Sequence, residues 1–235
     1  MKRILSLFIG LLILSSSYAQ QDNVLKDTKK KFSIGVDVFT DLWQISGDPG
    51  VVTPTARAIN QGANVFGMYT KPLGKSNFSF AIGLGLGMHN LYSDSRIQDV
   101  NADVIKFEKI PEGVSYSRSK ISLTYLDAPF EIRFLTKGDF RISAGFKVGL
   151  KINSHDKYKG DSYSYDKDNK LVTGASVVEK RRDINNIEPW RYGATFRIGY
   201  KWATLFGYYQ LSDTFRGNKG PKIAPISVGI SFVSF

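Results

Sequence analysis

The stretch Asn77-Phe78-Ser79-Phe80-Ala81-Ile82-Gly83-Leu84-Gly85-Leu86-Gly87-Met88-His89 decides the fold. Phe78, Phe80, Ile82, Leu84, Leu86 and Met88 fall on one parity; Ser79, Ala81, Gly83, Gly85, Gly87 and His89 fall on the other. Successive side chains of an extended chain point to opposite faces, so one face is wholly apolar and the other small or polar. A helix cannot use this pattern. Its turn would scatter the large residues around the axis, and each interior glycine would cost about 1 kcal/mol against alanine. The apolar face meets either a second sheet, as in a soluble sandwich, or lipid, as in a transmembrane barrel with small residues turned inward.

The two-residue period recurs on both sides. Phe32, Ile34, Val36 and Val38 alternate with Ser33, Gly35, Asp37 and Phe39 in a first strand that ends near Trp43. Val65, Gly67 and Tyr69 alternate with Asn64, Phe66 and Met68 in a second. A fourth strand starts Ile121, Leu123, Tyr125 and resumes on the other parity as Phe130, Ile132, Phe134, so a bulge is expected at Asp127-Ala128-Pro129. The turn Thr136-Lys137-Gly138-Asp139 leads into a fifth strand, where Phe140, Ile142, Ala144, Phe146, Val148, Leu150 and Ile152 alternate with Arg141, Ser143, Gly145, Lys147, Gly149 and Lys151. A cation facing lipid at mid-depth costs about 2–4 kcal/mol, which turns Arg141, Lys147 and Lys151 inward. In a sixth strand Trp190, Tyr192, Ala194, Phe196, Ile198, Tyr200 and Trp202 face out, with Arg191, Gly193, Thr195, Arg197, Gly199 and Lys201 inside. Residues 204–211 form a seventh strand, and Ile226, Val228, Ile230 and Phe232 mark the last.

The connections run long and short in turn, the longest being the polar stretch from Asn153 to about Glu188. Short turns on one side and long loops on the other are the habit of outer-membrane barrels. The expected fold is therefore all-β: an eight-stranded antiparallel up-and-down transmembrane β-barrel over residues 32–235. Phe32, Tyr69, Phe78, Phe134, Phe140, Tyr200 and Trp202 toward the turns, and Trp43, Tyr92, Tyr125 and Trp190 toward the loops, are expected to form two interfacial girdles.

The N-terminus reads as an export leader. Lys2 and Arg3 precede the apolar run Ile4 to Leu14, which is followed by Ser15, Ser16, Ser17, Tyr18 and Ala19. The run is short of the ~20 residues a membrane-spanning helix needs, so residues 1–19 are a signal peptide cleaved after Ala19. Residues 20–31, with Lys29, Lys30 and Lys31 in a row, are a periplasmic lead-in. There are no cysteines, so an exported chain of this composition relies on a closed sheet, a core or the bilayer rather than on disulfides. The net charge of +11 favours an anionic neighbour. No nucleic-acid motif is present, and lipopolysaccharide phosphates at the outer surface suit an exported protein better.

The run Tyr125-Leu126-Asp127-Ala128-Pro129-Phe130-Glu131-Ile132 resembles the Leu-Glu-Ile-Pro-Leu strand of the PorT-like outer-membrane β-barrel family of Bacteroidota-type bacteria. The Gly145-Phe146-Lys147-Val148-Gly149 strand and the terminal Phe235 add to the likeness, although Phe235 lies on the opposite parity from Phe232. The resemblance implies an integral outer-membrane protein, and it permits an accessory role in a type IX-like secretion or assembly machine.

An eight-stranded interior is just wide enough for side chains. Asp127, Glu131, Arg133, Arg141, Lys147, Lys151, Arg191 and Arg197, with Asp37, Asn64 and Lys201, are expected to fill it as a paired ion network, since buried charges need partners. The alternative is a narrow anion-conducting path. Catalysis is not expected: Ser154, His155 and Asp156 are adjacent and point apart, and His89 stands alone on the inward face. No cofactor fingerprint or metal motif occurs, and Asp161, Asp166 and Asp168 lack the distal Glu of a calcium loop. The surface set aside for an envelope partner or lipopolysaccharide is Tyr158, Tyr163, Tyr165, Lys180, Arg181, Arg182 and Trp190, with Lys157 and Lys159 beside them. A soluble lipocalin-like barrel binding an apolar ligand is the remaining alternative, and it would have to solvate the apolar rows.

Overall fold

The computed structural model of the chain describes residues 31–47, 52–136, 140–200 and 203–233. The leader and its cleavage site, the lead-in up to residue 30, Lys137 to Asp139, Lys201, Trp202 and Phe235 lie outside the described residues.

Strands follow in chain order as β1 Phe32–Ser46, β2 Gln61–Pro72, β3 Phe78–Tyr92, β4 Ser95–Ile97, β5 Phe107–Lys109, β6 Tyr116–Leu135, β7 Phe140–Tyr165, β8 Leu171–Arg182, β9 Trp190–Tyr200, β10 Ala203–Gln210 and β11 Lys222–Val233. Eight of them, β1, β2, β3, β6, β7, β9, β10 and β11, pair antiparallel each with the next, and β11 returns to β1. These eight strands therefore close on themselves, which is the up-and-down barrel expected from the alternation, with β8 pairing only with the outer part of β7. Strands β4 and β5 make a small separate ribbon within the β3–β6 connection.

Each barrel strand sorts its residues by parity. On β3, Leu84 is 65% exposed and its neighbours Phe80, Ile82, Leu86 and Met88 face outward with it, while Ala81 and His89 are buried inside. The same sorting puts Phe32, Ile34 and Val38 of β1, Phe196 and Tyr200 of β9, and Val228, Ile230 and Phe232 of β11 on the outer surface. An apolar belt this continuous around a closed sheet is what a lipid-facing wall requires. No helix among the described residues is long and apolar enough to cross a membrane. A lipocalin-like arrangement is the inverse of what is seen, because here the large apolar rows face out and the charges face in.

Three expectations need correction. Strand β6 keeps one register against β3 from Phe78↔Phe134 to Tyr92↔Lys120, so Asp127-Ala128-Pro129 carries no parity switch. The irregularity falls on β7 instead: Thr124 faces Asn153 while Tyr125 faces Lys151, leaving Ile152 as the extra residue. Ile121, Leu123 and Tyr125 thus point inward, and Tyr125, 2% exposed, leaves the outer girdle. Trp43 likewise packs against the interior, and its Nε1 donates to the Asn90 carbonyl at 3.0 Å. The third correction concerns residues 153–188. Strand β7 continues past the barrel to Tyr165 and pairs with β8, so most of this stretch is an ordered two-stranded ribbon rather than a loop.

The inward Ile121 and Leu123 have a reason. The outer third of the lumen is apolar, filled by a cluster of Leu91, Ile97, Phe107, Leu123, Ile187 and Phe215 with their neighbours. The loops that supply it are tied to each other by backbone hydrogen bonds, Ile105 N to Lys219 O, Asn185 N to Val100 O and Arg216 N to Asn186 O, each 2.8 Å. A lid of this kind needs apolar side chains below it.

Leu84→Arg tests the inside–outside assignment. Placed at mid-depth on the outer wall, the cation should destabilise the barrel refolded into lipid vesicles by about 2–4 kcal/mol in denaturant titration. A cost near zero would mean that this face is not against lipid.

Candidate functional site

Beneath the apolar lid the lumen is stacked in tiers of charge. In the lowest, Arg197 of β9 reaches across the barrel to two carboxylates: its Nη2 lies 2.7 Å from Asp37 Oδ2 and its Nη1 2.6 Å from Glu131 Oε1. Arg133 Nε donates to Glu131 Oε2 at 2.9 Å, and Asn64 Nδ2 donates to Asp37 Oδ2 at 3.0 Å. The guanidinium of Arg197 also lies 4.9 Å from the Phe66 ring centroid and 4.6 Å from that of Phe206.

The middle tier is built on Asp127. Arg191 Nη2 and Nε donate to its two oxygens at 2.6 and 3.2 Å, and Lys147 Nζ lies 3.4 Å away. Arg191 is 1% exposed, the largest fully buried side chain described, and its guanidinium lies over Tyr125, 3.9 Å from the ring centroid. Lys147 sits over Tyr208 at 4.0 Å. Among the described residues Arg191 Nη1 has no hydrogen-bond acceptor and Lys147 Nζ has only the longer ion pair to Asp127, so these aromatic faces supply part of what an acceptor otherwise would. Two glycines leave the room: a Cβ on Gly87 would lie 2.5 Å from Arg191 Nη2, and one on Gly149 2.3 Å from Asp127 Oδ1.

In the highest tier, Asp41 accepts from Ser227 Oγ at 2.6 Å and faces His89 Nδ1 at 2.8 Å. Here the carboxylate stands between hydroxyl and imidazole. A catalytic triad needs the serine on the histidine, and all three groups are sealed at 1% exposure or less. Sequence reasoning placed His89 inward but passed over Asp41 and Ser227. Asp41 shares the parity of Asp37 four residues earlier, a signal that would have found it.

Three buried cations, Lys147, Arg191 and Arg197, and the half-buried Arg133 thus face three carboxylates, Asp37, Asp127 and Glu131, while Asp41 faces His89. Arg141 lies at the turn end of β7 opposite Leu135, and half-buried Lys151 lies at the level of Tyr125. A cavity of about 20 Å³ remains between the lower tiers, room for about one water.

Outside the barrel, the ribbon of β7 and β8 divides the expected contact residues by face. Tyr158 is fully buried on the inner face, under Arg96 at 4.1 Å, and its hydroxyl donates to the Asp161 carbonyl at 2.7 Å. Arg181 also faces in, bonding Asp156 Oδ2 at 2.6 Å and the Ile97 carbonyl at 2.5 Å. Both hold the ribbon onto β4, which removes them from the contact surface. Tyr163, half-buried, donates to Glu108 at 3.3 Å, and burial beside that carboxylate pushes its phenol up to about 12. Lys180, Arg182, Tyr165 and Trp190 are exposed. Asp166 closes the ribbon's turn by accepting from the backbone of Asp168 at 2.9 Å and Lys170 at 2.8 Å. It is a turn cap there.

Asp127→Ala should leave Arg191 and Lys147 without a counter-charge and cost about 3–5 kcal/mol in unfolding experiments. Gly87→Ala should also destabilise through the clash with Arg191, whereas Gly207→Ala, where a Cβ meets nothing nearer than 3.9 Å, should be tolerated. Equal behaviour of the two alanine variants would refute the packing account.

Among curated proteins, none matches this sequence. A solved structure, the Ail attachment invasion locus protein of Yersinia pestis in complex with the heparin analogue sucrose octasulfate, is similar at 12% identity and a TM-score of 0.36, over 86% of this chain and 97% of that one. A family model described as an outer membrane protein beta-barrel domain matches residues 18–216. With a closed eight-stranded sheet, an apolar outer wall and a charged interior, the chain belongs to the outer membrane protein beta-barrel domain family and is an outer-membrane β-barrel protein.

Proposed function

We propose that the protein is a non-conducting, non-enzymatic barrel that displays an extracellular contact surface, the β7–β8 ribbon, to an envelope partner and to the lipid around it. The observation that carries this reading is the occupied lumen. Tiers of paired charge with a cavity of about 20 Å³ between them, roofed by an apolar cluster, support a lumen without a continuous aqueous path for a solute. Opening one would strip partners from buried charges, at several kcal/mol for each. What remains free to act is outside the barrel, where the ribbon stands clear of the wall on an ordered base of Arg181, Asp156 and Tyr158.

In planar bilayers the protein should give no reproducible step conductance. In cells, a strain lacking it should become detergent-sensitive and be restored by the intact chain but not by one in which residues 161–176, the ribbon tip, are replaced by an Asn-Gly turn. Anion-selective steps would overturn the closed lumen, and full restoration by the trimmed chain would overturn the ribbon's role.

A narrower reading is that the chain is a PorT-like member exported by a leader cleaved after Ala19. It is supported by the Tyr125 to Ile132 run and by the apolar segment Ile4 to Leu14. N-terminal sequencing of the outer-membrane form should begin at Gln20. On this reading an accessory role in a secretion machine is the second candidate function.

A further inference from the structure

The outer face of the β6–β7–β8 sheet carries an arrangement that the closed interior never allows, with like charges directly opposite one another. Register aligns Lys120, Lys157 and Lys180 in one cross-strand row. The next row toward the membrane is Ser122, His155 and Arg182, and the next away from it is Arg118, Lys159 and Val178. Six of these nine positions are Lys or Arg, and none is acidic. Directly opposed like charges destabilise a sheet, so the rows hold the ribbon together at a cost. The extracellular ion pairs among the described residues, Arg96 with Glu179, Lys109 with Asp94 and Arg181 with Asp156, leave all six out.

The side chains show the strain of this crowding. Burial, together with Arg118, Lys157 and Lys180, pushes the Lys120 amine down to about 8. Burial and the cations Lys180, Lys120, Lys157 and Arg182 push the His155 imidazole down to about 4. His155 Nδ1 is buried without a hydrogen-bond partner among the described residues. Lys120 Nζ is held at 2.6 Å from Asn90 Oδ1 and 5.2 Å from the Tyr92 ring centroid.

Position names the occupant. On the barrel portions of β6 and β7 the last outward apolar residues are Leu126, Leu150 and Ile152, and Trp190 stands beside Leu150. At about 3.3 Å per residue the rows of Ser122 and Lys120 lie about 13 and 20 Å along β6 from Leu126, and a strand tilt of about 40° reduces the height to about 10–15 Å. That is the headgroup layer of the outer leaflet, and lysine side chains reach down toward it.

We propose that the outward rows of Lys120, Lys157, Lys180, His155 and Arg182 form a binding site for the phosphate groups of an outer-leaflet glycolipid headgroup. The inference rests on the extracellular placement of the ribbon. A phosphate between the rows turns like-charge repulsion into shared attraction and gives His155 Nδ1 an acceptor once the ring is protonated. Affinity should therefore fall as pH rises through about 8, where Lys120, faced by Arg118, Lys157, Lys180, Asn90 and Tyr92, loses its proton.

Native mass spectrometry of the folded full-length mature protein with bisphosphorylated lipid A, and separately with its dephosphorylated form, tests the site. Phosphorylated lipid should be retained, and the combined variant Lys157→Gln, Lys180→Gln, Arg182→Gln should bind it roughly tenfold more weakly. Lys167→Gln with Lys170→Gln, cations of the ribbon tip, should change nothing. Equal retention of dephosphorylated lipid, or an unchanged triple variant with intact heat-modifiable migration, would overturn the proposal. If millimolar inorganic phosphate displaces the lipid completely, the site is a free-phosphate site and the lipid assignment fails. The trimmed chain keeps all three rows, so the ribbon-tip role and this lipid site succeed or fail independently.

Discussion

The contact on which the interior depends is the bidentate pair between Arg191 and Asp127. A charge taken out of water inside a sheet tube has no solvent to return to, and its isolated cost exceeds what packing alone can offset. Every other choice nearby follows from meeting that demand. Gly87 and Gly149 have no side chain because Arg191 and Asp127 occupy the space. Tyr125 and Tyr208 are aromatic because the ring faces beside Arg191 and Lys147 must answer a cation. The alternation of glycine with large apolar residues, read along one strand as a lipid-facing pattern, is seen in cross-section as the clearance for a buried ion pair.

This explains why the interior is balanced rather than merely polar. Arg197 is shared between Asp37 and Glu131, and Glu131 is shared again with Arg133, so the lower tier is one connected unit. Such a network is high in stakes: complete, it fixes the register of several strands at once, and broken at one member, it leaves several groups unmet. The apolar lid works with it by covering the upper tier, where Asp41 pairs with His89 Nδ1. Ions below and hydrocarbon above are two ways of filling a tube too narrow to be left empty.

The barrel was legible because strand parity is a local property. Each outward row could be read from its own residues, and closure followed from the count and the order of connections. The inward parity of Lys147, Arg191 and Arg197 was equally local, since a cation cannot face lipid. What parity could not reveal was the outer third. Ile121, Leu123 and Tyr125 are apolar and in phase with each other, and nothing in β6 says whether lipid or a lid lies against them. Their orientation depends on Phe107, Ile187 and Phe215 in loops far away in the chain. The same blindness placed the bulge on β6, where proline marks it, rather than on β7, where Ile152 gives no signal. The polar composition of residues 153–188 suggested a loop. Their pairing depends on Arg181, Asp156 and the β4 carbonyls, which only the fold brings together.

The contrast between the two sides of the wall indicates where function resides. Inside, each like-charge approach has an intervening carboxylate or ring, because burial makes an unmet cation intolerable. On the outer face of the ribbon, Lys120, Lys157 and Lys180 stand in one row with no acid among them, and water and salt make that tolerable. A pattern that the rest of the molecule avoids costs stability with no return from folding. Replacing one lysine by glutamate would relieve it without touching the core. The row therefore makes physical sense when its counter-charge comes from outside the chain, and the height of the row above the apolar belt assigns that charge to the membrane's own surface.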